Sequence, residues 1–223
     1  MNATTTRRRP PAKKKIAPSR LPLLLGGLAV LALAVVIAVL TTSDTASAVH
    51  VADLAGSPEV RSDPLPPFGG DPASDPATGQ RAPQVDGQGL AGTANGGRDV
   101  TIGEAGTPQL LVFLASWCPA CQAELPELVE WLDAGNLPDD VELTAVVTGL
   151  DDTRPNWPPT DWLEREGYTG ATIVDDADGT IAQTYGMSGT PFWVAVDADG
   201  QVVARAAGQL PMPQVQRLAD AIS

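Results

Sequence analysis

The two cysteines of this 223-residue chain, Cys118 and Cys121, are separated by only two residues. They lie in the segment Trp117-Cys118-Pro119-Ala120-Cys121, directly after an apolar run at 110–115 that is typical of a buried strand. A C-x-x-C motif where a strand meets a helix is the sequence context of a dithiol that cycles with a disulfide. The spacing therefore predicts a redox-active cysteine pair.

A helix predicted over residues 119–134 places the two sulfurs in different environments. Cys118 takes the N-cap position and Pro119 the first helical position, where a missing N–H costs nothing. The free N–H groups of the first turn and the helix dipole favour the thiolate of Cys118 and lower its pKa. Cys121 shares a helix face with the apolar stripe Leu125, Leu128, Val129 and Leu132. We therefore expect an exposed, nucleophilic Cys118 and a buried Cys121 that resolves the mixed disulfide.

Other uses of a cysteine pair fit the sequence poorly. A structural disulfide across two residues closes too short a loop to stabilise the fold much. A zinc site lacks further ligands, because the chain has a single histidine, His50. Attachment of c-type haem requires a histidine where Gln122 stands, and a copper chaperone requires further His or Met ligands nearby. The sequence therefore predicts no metal and no cofactor apart from the Cys118–Cys121 disulfide.

Apolar runs and helical segments alternate through the second half of the chain. The Asp-rich turns at 175–179 and 197–200 do not have the spacing of an EF-hand calcium loop, and the second is predicted to be a hairpin turn. This order of elements predicts an α/β sheet covered on both faces. After the helix at 119–134, the predicted strands are 142–148, 171–174, 192–196 and 201–205, and the predicted helices are 159–166, 180–185 and 214–222.

The uncharged run at 21–40 predicts a transmembrane helix. A 20-residue helix is about 30 Å long, which matches the hydrocarbon core of a bilayer. Residues 1–20 carry seven basic residues and no acid, so the positive-inside rule places the N-terminus in the cytoplasm and the rest of the chain outside. The alternative is a signal peptide cleaved after Ala48, which would release a secreted form.

The composition between the predicted span and the cysteines changes near residue 82. Residues 41–81 are rich in Pro, Gly, Ser and Asp, and they predict an extended, disordered linker before one folded domain at 82–223. Residues 21–223 contain seven arginines, no lysine and 27 acids, a net charge of −20. A body this acidic is not expected to bind nucleic acid.

Several motifs together resemble the membrane-anchored thioredoxin-like proteins of the TlpA/ResA type, which include the cytochrome c maturation thioredoxins. The resemblance covers residues 82–223. It implies a thioredoxin-like α/β fold, with a central mixed β-sheet flanked by helices. The matching motifs are Ala82-Pro83, the segment from Ala115 to Cys121 with Glu124 and Pro126, Gly189-Thr190-Pro191, and Val196-Asp197 with Gly200.

The resemblance also implies which residues meet the substrate. Pro191 matches a cis-proline that lies against the active-site disulfide, and the backbone of Thr190 pairs with an incoming peptide like an added strand. Trp117 and Pro119 flank the reactive cysteine and are expected to contact the substrate.

Glu124 matches an acid that follows the second cysteine in these proteins. A half-buried carboxylate at this position would have a raised pKa and accept the proton of Cys121. An ordinary exposed helical glutamate would have no such role. Pro126, two residues further, is expected to kink the helix.

The expected function is that of a membrane-anchored, extracytoplasmic thiol:disulfide oxidoreductase. The resemblance implies that it reduces disulfides in exported cysteine-containing proteins such as apocytochrome c. A membrane dithiol would supply electrons, because the outer compartment is oxidising. The alternatives are an oxidase that introduces disulfides and a non-catalytic module that binds peptides near Pro191. A peroxiredoxin-like peroxidase is disfavoured, because Ala115 stands where it would need Thr or Ser.

The Pro- and Trp-rich segment at 151–162 departs from the family pattern. It falls where the family places an extra helix after the second strand. The sequence leaves two interpretations open, a surface for a partner or a rigid loop.

Overall fold

The computed structural model describes residues 49–223 of the chain. The predicted basic tail at 1–20, the predicted span at 21–40 and the cleavage position at Ala48 lie outside the described residues. Within 49–223, none of the helices combines the length and the apolar character that a membrane crossing requires.

From residue 109 onward, strands and helices alternate except for two consecutive strands between 192 and 207. The helices are α1 (Val51–Leu54), α2 (Pro119–Asp133), α3 (Pro159–Arg165), α4 (Thr180–Thr184) and α5 (Met212–Asp220), with a 3₁₀ turn at Pro72–Ser74. The strands are β1 (Glu59–Val60), β2 (Val85–Gln88), β3 (Asp99–Ile102), β4 (Gln109–Leu114), β5 (Glu142–Val147), β6 (Ala171–Val174), β7 (Phe192–Val196) and β8 (Val202–Ala207).

A five-stranded mixed sheet forms the centre of the domain, in the order β6-β5-β4-β7-β8. Strands β4, β5 and β6 are parallel, whereas β7 pairs antiparallel with both β4 and β8. The predicted thioredoxin-like α/β fold with a mixed sheet is therefore confirmed. The predicted elements from residue 110 onward differ from the observed bounds by at most two residues.

The sequence analysis missed a second, smaller sheet. Strands β1, β2 and β3 pair antiparallel in that order. Strand β2 reads Val-Asp-Gly-Gln and has a single strongly apolar residue. Strand β3 reads Asp-Val-Thr-Ile, whose alternation of polar and apolar residues over four positions is the shortest that indicates a strand.

Both faces of the central sheet are buried, as the continuous apolar strands require. On one face, Leu110 and Leu114 of β4 pack in a cluster with helices α2, α3 and α5. On the other face, Leu111 and Phe113 belong to a second cluster. The two sets alternate along β4 because successive side chains of a strand point to opposite faces.

The prediction of a disordered linker at 41–81 is wrong for its described part, residues 49–81. Leu65, Phe68 and Ala77 are buried in the second cluster, and the Phe68 ring meets Phe192 edge-on with 5.6 Å between centroids. The segment packs on the same sheet face as the short helix α4, whose Ile181 and Ala182 belong to the same cluster. The composition concealed this packing, because its few apolar residues are irregularly spaced among Pro and Gly.

A buried ion pair fixes this segment to β8. The guanidinium of Arg205 donates to both carboxylate oxygens of Asp75, at 2.8 and 2.5 Å, and neither side chain is exposed. The remaining Arg205 nitrogen donates to the carbonyl oxygens of Pro66 and Tyr185. This hydrogen bonding by Arg205 holds the pKa of Asp75 below its usual value, despite opposition from burial.

We expect Asp75→Asn to lower the free energy of unfolding by about 3–5 kcal/mol, because it leaves a buried guanidinium without its counter-charge. Urea denaturation of the full chain measures the change. Asp63→Asn, the same substitution at an exposed position of the same segment, is the control and should change stability little. Equal stability losses in the two variants would contradict the role given to the ion pair.

Candidate active site

The predicted cysteine pair lies where β4 meets α2. The strand ends at Leu114, and the chain turns through Ser116 and Trp117 to Cys118, the N-cap of α2. The backbone N–H of Cys118 donates to the carbonyl oxygen of Ala115 at 3.0 Å. Both thiols are free in this structure.

Cys118 is more buried than the sequence suggested. It is 7% exposed, whereas Cys121 is fully buried among the core residues of α2. The predicted order of accessibility is therefore observed, although the expected exposed thiol is only slightly open to solvent.

The two thiols differ in their tendency to ionise. Burial opposes ionisation of Cys118, but hydrogen bonds with Thr190 and with Cys121 outweigh it, so the pKa of Cys118 is lowered. Its thiol also lies 3.3 Å from the carbonyl oxygen of Thr190, to which it donates. Burial above all, and the neighbouring Cys118, raise the pKa of Cys121. Of the two, Cys118 is therefore the one more readily converted to a nucleophilic thiolate.

Glu124 is fully buried one turn after Cys121, which excludes the interpretation as an ordinary exposed glutamate. Its Oε1 accepts hydrogen bonds from the Trp193 indole at 3.2 Å and from the Leu210 N–H at 2.7 Å. Its Oε2 has no partner among the described residues. Burial raises the pKa of Glu124 to about 7, with a smaller contribution from the charge of Glu127. The carboxyl group can therefore gain or lose a proton near neutral pH.

Thr190 and Pro191 lie beside the Cys118 thiol. The peptide bond between them is cis, as the resemblance implied, and Pro191 is buried at the start of β7. Thr190 is half-buried and Pro119 is exposed. The structure thus brings together the predicted substrate residues Thr190 and Pro191 with the reactive cysteine.

Trp117 forms one wall of an apolar groove of about 250 Å³ next to these residues. Its indole N–H donates to the carbonyl oxygen of Gly149 at 2.6 Å, and the Arg154 guanidinium lies 4.8 Å from the ring centroid. Further lining residues include Ala115, Ala182, Met187 and Thr190. The groove has room for a single side chain of a bound peptide.

The sequence analysis missed one acid that shapes this site, Asp175. Asp175 is fully buried, and its carboxylate accepts hydrogen bonds from the Thr148 hydroxyl at 2.7 Å and from the N–H groups of Ile181 and Ala182. It thereby fixes the start of α4, which lines the groove. Burial raises the pKa of Asp175. No motif marks it, because its partners become neighbours only through the fold.

No cluster of three or more potential metal ligands occurs among residues 49–223. Asp175 lies in one of the two Asp-rich turns, and its oxygens are directed to backbone N–H groups and to a hydroxyl.

Comparisons with known proteins point to one family. Residues 77–222 match the family described as Redoxin. The chain is 31% identical over 102 residues to a "Thiol:disulfide interchange protein DsbE homolog" of Paracoccus denitrificans, covering 46% of this chain and 51% of the relative. It is 26% identical over 120 residues to "Sporulation thiol-disulfide oxidoreductase A" of Bacillus subtilis, covering 54% and 71%. The chain thus spans about half the length of the first of these relatives.

A solved structure of similar fold is the thioredoxin family thiol:disulfide interchange protein of Chlorobium tepidum. It superposes with a TM-score of 0.52 at 16% identity, covering 66% of this chain and 97% of that one. At this identity the superposition supports the fold alone. Together with the family match and the named relatives, it confirms the resemblance that the motifs carried.

We expect Glu124→Gln to stabilise the protein relative to wild type at pH 8 and to have little such effect at pH 4. The pKa of Glu124 is about 7 in the folded protein against 4.5 for the free group, so wild type loses stability as the pH rises through this window. Between pH 4.5 and 7, the difference in free energy of unfolding between Glu124→Gln and wild type should grow by up to about 1.4 kcal/mol per pH unit. Urea denaturation from pH 4 to 8 measures it.

Glu130→Gln, at an exposed position of the same helix, is the matched control for this effect. A pH-independent difference between Glu124→Gln and wild type would contradict the raised pKa.

Proposed function

The chain belongs to the Redoxin family, and we propose that it is a thiol:disulfide oxidoreductase in which Cys118 attacks and Cys121 resolves. The proposal rests on one observation above all. Two free thiols share the first turn of α2, and their environments shift their pKa values in opposite directions. The names of the curated relatives agree with this chemistry.

The reaction has two steps when it runs as a reduction. The Cys118 thiolate attacks one sulfur of a substrate disulfide, which forms a mixed disulfide and releases the other substrate sulfur as a thiolate. Cys121 then loses its proton and attacks the Cys118 sulfur. This step releases the second substrate thiolate, leaves a Cys118–Cys121 disulfide and delivers two electrons to the substrate.

Glu124 is proposed to assist the second step. The Cys121 thiol is reluctant to ionise in its buried position, so it requires a nearby base. Residues three apart on a helix are neighbours, with about 5–6 Å between Cβ atoms. The partner-free Oε2 of Glu124 is the atom available to receive the proton.

The substrate is proposed to lie across Thr190 and Pro191, with one side chain in the groove beside Trp117. The backbone of Thr190 would pair with the substrate like an added strand. Pro119, exposed beside Cys118, would contact the same segment. Such a site accepts an extended cysteine-containing chain rather than a folded surface.

We further propose that the protein is anchored by the span at 21–40 and acts outside the cytoplasm on exported proteins, with apocytochrome c as an example. A membrane dithiol would restore the reduced pair, because the outer compartment is oxidising. The support for this part is the sequence pattern and the family resemblance.

A second candidate is an oxidase that donates its disulfide to exported proteins. The lowered pKa of Cys118 favours it, because stabilising the reduced thiolate form makes a dithiol pair more oxidising. The same residues would then carry out the two exchange steps in reverse.

We expect Cys121→Ser to accumulate a mixed disulfide between Cys118 and a disulfide-bonded model peptide, because the resolving thiol is missing. Cys118→Ser should form none and should lose turnover. Mass spectrometry under non-reducing conditions detects the adduct. Wild-type function retained in Cys118→Ser would overturn the proposal in favour of a non-catalytic peptide-binding module.

The reduction potential of the Cys118–Cys121 pair distinguishes a reductase from an oxidase. We expect a value of about −270 mV, the level of thioredoxin, if the protein is a reductase. Equilibration of the protein with defined thiol–disulfide buffers gives the value. A potential near about −120 mV would instead support the oxidase and remove the apocytochrome c assignment.

A further inference from the structure

The carbonyl oxygen of Ser116 lies in the turn that connects the end of β4 to Cys118. Two side-chain amides donate to it: Gln122 Nε2 from the first turns of α2 at 2.9 Å, and Asn156 Nδ2 at 3.2 Å. Asn156 is 40 residues further along the chain, in the loop between β5 and α3. The active-site turn is therefore held from a second element.

Asn156 is itself fixed in orientation. Arg165 of α3 donates to its Oδ1 at 2.8 Å, and because a guanidinium only donates, the amide oxygen must face Arg165. The amide N–H groups then face Ser116. The residue has a φ of 59°, in the left-handed region that asparagine tolerates better than most residues.

The same loop touches the active site at a second point. The Arg154 guanidinium covers one face of the Trp117 ring, and Trp117 is bound through its indole to Gly149 at the start of the loop. On the other side of the loop, the Trp157 indole donates to the carbonyl oxygen of Val49 at 2.5 Å, and His50 lies 3.1 Å from Asp152. The loop is thus anchored on both sides.

We propose that Asn156 is a positioning residue that holds the turn from Ser116 to Cys118, so that the attacking sulfur stays against Thr190. The inference rests on the proposed function only in taking Cys118 as the reacting thiol. It assigns a role to the Pro- and Trp-rich segment at 151–162, which acts as a brace for the active-site turn.

The consequence of a loosened turn is a less reactive Cys118. The pKa of Cys118 is lowered by its contacts with Thr190, with Cys121 and with the backbone of the first turn of α2, which require the sulfur to stay in place. Loss of the Asn156 donor should lengthen them and raise the pKa of Cys118. One hydrogen bond changes an equilibrium by about two- to tenfold, and a change of this size is expected.

Two substitutions in the full chain test the proposal. Asn156→Asp keeps the acceptor for Arg165 and the tolerance for left-handed φ but removes the donor. Asn156→Gly keeps the backbone conformation and removes the amide. We expect both variants to show a higher Cys118 pKa and about two- to tenfold slower alkylation by iodoacetamide at pH 7. Cys121→Ser as the common background restricts alkylation to one thiol.

Asn136→Asp is the matched control, because Asn136 Nδ2 also donates to a backbone carbonyl, that of Trp131 at the opposite end of α2. It should leave the alkylation profile unchanged. If Asn156→Asp fails to fold, the alkylation rate of Asn156→Gly tests the positioning role. If that variant also fails to fold, Arg165→Gln takes its place, because it removes the donor that holds the Asn156 side chain.

An alkylation profile unchanged from wild type in the folded variants would overturn the positioning role. Alkylation requires no substrate disulfide, so this outcome is separate from the proposed function. A shifted profile in the variants, together with an absence of disulfide exchange in the wild-type chain, would support the brace while removing the oxidoreductase proposal.

Discussion

The central sheet must be covered on both faces, and the rest of the structure follows from this requirement. The six residues of β4 are all buried, so apolar side chains leave the strand in both directions. On one side α2 covers them, and its N-terminus starts where β4 ends. Packing the helix on the sheet therefore also places Cys118 at the carboxyl end of the strand, with Cys121 one turn deeper in the core.

The chemistry of the site derives from how deeply each group is buried and from which donors it meets. Cys118 lies at the helix start beside Thr190, where its surroundings lower its pKa, whereas Cys121 is buried deeper and its pKa is raised. Glu124 is buried deeply enough to hold a proton near neutral pH, yet the Trp193 and Leu210 N–H groups satisfy only one of its oxygens. Groups within one helix thereby differ in how readily they lose a proton.

Local patterns in the sequence predicted the features that depend on local spacing. Each of these features depends on residues that are close in sequence. They are the cysteine pair, the helix that follows it and the strands from residue 110 onward. Glu124 was singled out by the family resemblance, which implies an acid shortly after the second cysteine. The cis bond before Pro191 came from the family resemblance, since a proline before a strand does not reveal its isomer.

Features that join distant parts of the chain left no such signal. Asn156 is an ordinary loop residue until the fold brings it to Ser116, and Asp175 is one acid in an Asp-rich turn. The largest error concerned residues 49–81, whose Pro and Gly content masked three core residues. Composition predicts disorder when a segment must bury its own core, but this segment uses a core that the sheet supplies.

The pairing of Asp75 with Arg205 also has a consequence for how the domain is completed. The two residues are 130 positions apart. A polypeptide leaves the ribosome N-terminus first, so Leu65, Phe68 and Asp75 emerge long before the strand that receives them. Contacts of such long sequence separation close slowly and leave apolar surface open to aggregation in the meantime. The domain therefore cannot finish folding during synthesis until its last strand has emerged.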